Sequence, residues 1–188
     1  MPNRGKRISF DFTYKIGVFG DSGVGKTTLI YRYITDKFDL DIGRSMGVDV
    51  NAKTIDIEGF VINLQIWDFV GEERFKTLLP IYARGSFGGI FMYDISNKST
   101  LSNLNEWIFL FQDKGKHPTI QIPILIVGGK SDLYAERKLN LEDAYSLSNS
   151  YDILEYIECS SKTGENVEKV FLTLTKEIIK RSTYLSAT

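Results

Sequence analysis

The sequence predicts an α/β fold: a mostly parallel six-stranded sheet with one antiparallel edge strand and helices on both faces. Three observations predict it. Short apolar runs alternate along the chain with amphipathic stretches of helical spacing. Two of the runs flank the two-residue turn Glu58-Gly59, which makes them an antiparallel hairpin. The other runs are separated by helical segments, and strands joined in that way run parallel.

The elements follow in chain order. Tyr14–Phe19 is a buried strand that leads straight into a Gly-rich turn, and Lys26–Thr35 is the helix after it. Val48–Ile57 and Phe60–Trp67 alternate polar and apolar residues and form the hairpin. Gly89–Tyr93 and Ile122–Val127 are continuous apolar runs, as strands buried on both faces require. Ser99–Phe111 is helical, with Leu101, Leu104, Ile108 and Phe111 on one face and Trp107 as packing. Leu141–Ser150 is a shorter helix and Ile153–Cys159 the last strand. Gly164–Ile179 closes the fold as a helix, with Val167, Val170, Phe171, Leu174 and Ile178 in one stripe. Residues 1–12, with Arg4, Lys6 and Arg7, read as a loose N-terminal tail. Residues 13–180 form one domain, and 181–188 a C-terminal tail. His117, beside Pro118 and with no second histidine in the chain, reads as a surface-loop residue.

Bulk properties narrow the function. The 188 residues suit one domain with one sizeable core. A formal charge of −1 gives no general attraction to nucleic acid or anionic lipid. The single cysteine, Cys159, excludes an intrachain disulfide and points to a reducing, cytoplasmic setting. No apolar run is long enough to span a bilayer, and neither end carries a signal peptide, a myristoylation glycine or a prenylation cysteine. The expectation is a monomer without a lipid anchor, peripheral at membranes only through partners.

Gly20-Asp21-Ser22-Gly23-Val24-Gly25-Lys26-Thr27 matches the phosphate-loop pattern G-x-x-x-x-G-K-[ST]. Triphosphate oxygens must meet several backbone N–H groups at once, so the loop curls tightly, and glycine permits that curl. The helix that follows favours an anion at its N-terminus. Lys26 supplies a positive charge to the outer phosphates, and the Thr27 hydroxyl can ligate Mg²⁺. Chance produces such a match in about one chain in a hundred of this length at average composition. The strand before it and the helix after it make chance far rarer.

With its later motifs the chain resembles the Ras superfamily, and the Rab family most closely, over roughly residues 13–180. Trp67-Asp68-Phe69-Val70-Gly71-Glu72-Glu73-Arg74-Phe75 is similar to W-D-T-A-G-Q-E-R-F. Gly128-Gly129-Lys130-Ser131-Asp132 is similar to G-N-K-x-D, and Cys159-Ser160-Ser161-Lys162-Thr163-Gly164-Glu165-Asn166-Val167 to T-S-A-K-T-G-E-N-V. The resemblance implies a G domain of the P-loop NTPase class that binds GTP or GDP with Mg²⁺ and switches shape as GTP is hydrolysed. It implies nucleotide contacts from Asp21, Ser22, Gly23, Val24, Gly25, Lys26, Thr27, Thr28, Phe38, Ser45, Gly71, Lys130, Asp132, Ser160, Ser161 and Lys162. Mg²⁺ would be held by Thr27 and Ser45, with Asp68 acting through water. Glu72, Lys26 and Gly71 would carry catalysis. Asp132 would read guanine, since its carboxylate accepts from N1–H and the exocyclic amine, whereas adenine presents an acceptor at N1. For Phe38, core packing is the competing account.

Four departures from the pattern matter. Gly129 replaces the asparagine that contacts the base and ties its loop to the P-loop, which weakens binding. Ser45 replaces the switch threonine but keeps its hydroxyl. Glu72 replaces the glutamine that positions the attacking water. An ionised glutamate only accepts hydrogen bonds and brings negative charge toward a negative transition state, so slow intrinsic hydrolysis is expected. Phe69-Val70 is bulkier than Thr-Ala and leaves the packing of the second switch open. Effectors would bind residues 38–50, 67 and 69–82, with Val50, Trp67 and Tyr82 either an effector-facing cluster or ordinary packing. An exchange factor and a GTPase-activating protein are implied as further partners. A GTP-bound interaction module with negligible hydrolysis is the alternative. An ATP-using P-loop enzyme is disfavoured by Asp132, by Ser160–Lys162 and by the short single domain.

Overall fold

The hairpin between residues 48 and 69 forms the edge of the sheet. Its turn residues Glu58 and Gly59 both have positive φ, 55° and 86°, the geometry whose twist matches that of paired strands. In this computed structural model, which describes residues 9–39, 47–112, 122–139, 142 and 153–186, the strands are β1 (Phe12–Phe19), β2 (Val48–Ile57), β3 (Phe60–Phe69), β4 (Gly88–Asp94), β5 (Ile124–Gly129) and β6 (Ile153–Glu158). They form one six-stranded sheet in the order β2-β3-β1-β4-β5-β6. Only β2 and β3 pair antiparallel; every other pair is parallel.

The described helices are α1 (Lys26–Thr35), α2 (Leu79–Ala83), α3 (Ser99–Ser102), α4 (Leu104–Phe111) and α5 (Val167–Ser186). Two apolar clusters divide them between the faces. On one face Ile16, Val18 and Ile90 pack with Leu29 and Tyr33 of α1 and Phe171 and Leu174 of α5. On the other, Phe19, Phe91 and Tyr93 pack with Leu79, Leu104, Trp107 and Phe111. Every residue of β4 and β5 is buried, as strands covered on both sides must be.

β1, β3, β4 and β6 differ from expectation by one or two residues at an end, and four further boundaries differ for a local reason. β5 begins at Ile124 and not at 122, because Pro123 has no N–H for the ladder. The helix expected over 99–111 breaks at Asn103, whose carbonyl accepts from the Trp107 amide at 3.1 Å and starts α4. α5 begins at Val167 and not at Gly164, since Gly164 and Asn166 hold φ of 88° and 56°. At its other end α5 runs to Ser186, so residues 181–186 of the expected tail are helical. Ser45, His117 and the helix expected over 141–150, apart from Glu142, lie outside the described residues, as do residues 1–8 of the expected N-terminal tail.

Candidate functional site

The carboxyl ends of β1, β3, β4, β5 and β6 bring the sequence motifs to one rim of the sheet, the edge where open α/β sheets bind ligands. β1 ends at Phe19, and the chain turns through Gly20, Gly23 and Gly25, all at positive φ, before α1 starts at Lys26. Val24 pins the middle of this loop into the core, while Ser22 and Gly23 face solvent and Thr28 lies half-buried in the first helical turn. The N-terminal amides of α1 therefore open onto a curled anion cradle.

Lys26 is 6% exposed, and its Nζ donates to the carbonyl oxygens of Gly20 at 2.9 Å and Asp21 at 2.8 Å. Burial pushes its pKa down to about 8 against an ordinary 10.5, with the charges of Asp68 and Asp21 opposing the fall. Between those two values the unfolded chain holds a proton that the folded chain has released. Stability of the nucleotide-free protein should therefore rise with pH from about 8 to 10.5, while below 8 the burial cost is constant. Urea midpoints measured across that range should climb in the wild type and stay flatter in Lys26→Met; parallel curves would refute the assignment.

Thr27 and Asp68 meet across the loop. The Thr27 hydroxyl donates to Asp68 Oδ2 at 2.5 Å, and Asp68, near the end of β3, is 1% exposed. Among the described residues no three His, Cys, Asp or Glu side chains group to hold a metal. Two hard oxygen groups beside a phosphate cradle nonetheless fit Mg²⁺, which takes few protein ligands and keeps waters and phosphates as the rest.

After β3 the chain passes directly over the P-loop. A Cβ built on Gly71 would overlap the backbone of Asp21 and Ser22 and stand 2.5 Å from the Gly20 carbonyl oxygen, so only glycine fits. Phe69 and Val70 are buried, with Phe69 edge-on to Phe111. The bulky pair thus anchors the start of this segment in the core. Glu72 is extended, and its Oε2 accepts from Arg74 Nε at 2.8 Å at the head of a 3₁₀ turn, Glu73–Leu78. Beyond that turn Trp67 and Tyr82 lie 6.5 Å apart, and Val50 pairs with Trp67 across β2 and β3.

The sequence did not reveal how Asp21 is held. Its carboxylate accepts from Asn103 Nδ2 at 2.9 Å and from Trp107 Nε1 at 2.7 Å, two residues one helical turn apart. A negative side chain in an anion-binding loop is thereby turned away from the cradle. Buried Lys76, from the 3₁₀ turn, pairs with Glu73 and Glu106 and lies 5.1 Å over the Trp107 ring. Trp107 is core packing as expected, and also a polar tie between two functional segments. The Asn-x-x-x-Trp spacing was the one available signal.

The motifs expected to read the base converge at the ends of β5 and β6. Asp132 accepts from the Ser160 hydroxyl at 2.7 Å, and Lys162 Nζ stands 3.9 Å from its other oxygen. Ser160 and Ser161 are buried and Lys162 is exposed. Lys130 holds φ of 64° and donates from Nζ to Asp94 Oδ2 at 2.6 Å. Burial raises the Asp94 pKa, but hydrogen bonds from Lys130 and Ser96 outweigh it and the carboxyl stays below its ordinary value. Asp94 is a further acid that motif reading missed; its place at the end of β4 was the clue. Phe38 is half-buried just after α1 and makes no ring–ring contact among the described residues.

A sequence model of the Ras family matches residues 15–180. The chain is 35% identical over 186 residues to the Ras-related protein Rab-19 of Xenopus laevis, covering 98% of this chain and 86% of that protein. It is 35% identical over 173 residues to the Ras-related protein Rab-8B of Homo sapiens, covering 92% and 82%. Against the Ras-related protein Rab-13 of Canis lupus familiaris the identity is 36% over 174 residues, covering 93% and 84%.

Proposed function

The chain belongs to the Ras family and within it is most similar to Rab proteins; from that premise we propose a slowly hydrolysing GTP switch whose rate is set by Glu72. Family membership makes it a small GTP-binding protein with GTPase activity. The finer reading assigns its own residues. Lys26 leaves the Gly20 and Asp21 carbonyls for the outer phosphates, while the amides of residues 21–27 wrap the inner ones. Thr27, Asp68 through water and Ser45 hold Mg²⁺, which when bound neutralises phosphate charge. Asp132, aimed by Ser160, reads the guanine edge. Lys130, Ser161, Lys162 and Phe38 frame the base.

One observation carries the slow rate. Glu72 follows Gly71, which touches the P-loop, and its carboxylate is engaged by Arg74 in the same turn. A water lined up there meets an acceptor without a donor, and a negative charge where negative charge develops. Glu72→Gln should hydrolyse GTP about tenfold faster in single turnover, the equivalent of roughly one hydrogen bond gained in the transition state. A slower variant would mean that glutamate itself positions the water. If neither protein turns over, the alternative stands: a GTP-loaded interaction module, which the same residue favours.

The partner-facing surface is read from exposure. Val50 and Ile81 are 55% and 56% exposed, and Leu78 and Tyr82 are partly so. Leu78, Ile81 and Tyr82 lie within the segment 69–82, whose shape would follow the γ-phosphate through Gly71, and Val50 stands opposite Trp67, whose ring is 6.5 Å from that of Tyr82. Effectors that read the loaded state would dock there and on residues 38–50, while an exchange factor and a GTPase-activating protein act on the same segments. Among the described residues no helix is long and apolar enough to cross a membrane. A peripheral position at a membrane, reached through such partners, is part of the same proposal.

A further inference from the structure

Gly129 ends β5 with its missing side chain directed at the underside of the P-loop. A Cβ built there would overlap the Cε methyl of Met92, with the Val24 carbonyl oxygen 3.1 Å away and that of Tyr93 at 3.4 Å. The same methyl lies 3.5 Å from where a Cβ on Gly25 would stand. Met92 is 1% exposed, and its own carbonyl oxygen lies against Gly20. Two loops, one for phosphate and one for base, thus meet around one thioether. Both present glycine to it, and no side-chain hydrogen bond from position 129 joins them.

We propose that Met92 and Gly129 form a matched pair that sets nucleotide affinity. The methyl fills the seat that a side chain at 129 would occupy and spaces the P-loop from the base loop by apolar contact. Methionine suits the task, being unbranched and able to fill an irregular gap. The pair explains why glycine is tolerated at 129. Restoring a side chain there requires the Met92 methyl to leave the seat and the Val24 carbonyl to give by a few tenths of an ångström, so the P-loop shifts with it. Once the seat is emptied, the amide of an asparagine at 129 has the Val24 carbonyl oxygen as its acceptor.

This inference rests on the nucleotide reading above, and its test separates the two. The full chain is loaded with fluorescent methylanthraniloyl-GDP, and release is timed for wild type, Gly129→Asn, Met92→Val and the double variant. Melting temperatures are taken for all four, loaded and after stripping with EDTA. Gly129→Asn should release GDP about tenfold faster than wild type and melt lower, as an overpacked core would. Adding Met92→Val should slow release about tenfold relative to Gly129→Asn alone and raise its melting temperature, a coupling between touching residues. Gly129→Ala, which adds only the Cβ, guards against misfolding of the larger change and should show the same order. Slower release in Gly129→Asn alone, or a double variant equal to the product of its parts, overturns the pair. A wild type that takes up no guanine nucleotide overturns the nucleotide reading instead, and the stripped melting cycle still reports whether the seat exists.

Discussion

Asp132→Asn is expected to lower affinity for GDP and GTP by about a thousandfold, the loss of two charge-assisted hydrogen bonds. The carboxylate is aimed by the Ser160 hydroxyl and lies near the Lys162 ammonium. Against guanine, an amide at this position can accept from N1–H but must turn its own NH₂ toward the exocyclic amine. Two donors then face each other, and neither is satisfied by the other. Xanthine carries an oxygen in place of that amine, so the same amide accepts from its N1–H and donates to its C2 oxygen. The variant should therefore prefer XDP over GDP in competition, reversing the wild-type order. Ser160 can rotate its hydroxyl to either partner, so the fold should survive. An unchanged preference for guanine would remove Asp132 from base recognition.

Gly71→Ala is expected to reduce single-turnover hydrolysis by roughly a hundredfold, about the loss of one preorganised donor, while GDP affinity changes little. The added methyl meets only backbone: Asp21, Ser22 and Gly20. No side chain can swing aside, so the whole segment must retreat from the P-loop, as overpacking usually forces at a cost of about 1–3 kcal/mol. A retreating segment carries its amide away from the γ-phosphate and carries Glu72 with it. The difference between the two nucleotide states should collapse. Hydrogen exchange over residues 69–82, compared between GDP and a non-hydrolysable GTP analogue, should differ in wild type and coincide in the variant. A preserved difference would show that Gly71 does not sense the γ-phosphate.

Much of this was legible in the residues, for identifiable reasons. Lys26–Thr35 matched in full because the Gly-rich loop fixes where the helix starts. The hairpin was legible because alternation and a two-residue turn favour one register, although β3 runs on two residues past Trp67 to Phe69. What stayed hidden depends on contacts far apart in the chain. Periodicity places Trp107 on a buried face but cannot say that its N–H reaches Asp21. Asn103 looks like an ordinary helical residue until its carbonyl starts α4 and its amide holds the same acid. Gly129 reads as a simple loss until Met92 is found in the vacated space. Single-residue identities announce chemistry; pairings require the fold.

The tie through Trp107 also makes the protein its own instrument. The chain has two tryptophans, and Trp67 sits on the outer hairpin with Lys15 Nζ 3.7 Å over its ring. Trp107 has a P-loop carboxylate on its N–H and the Lys76 ammonium above its face. An excited indole responds to both charges. In a Trp67→Phe background the emission of this one buried ring would report, without any label, when the phosphate loop and the 3₁₀ turn rearrange together.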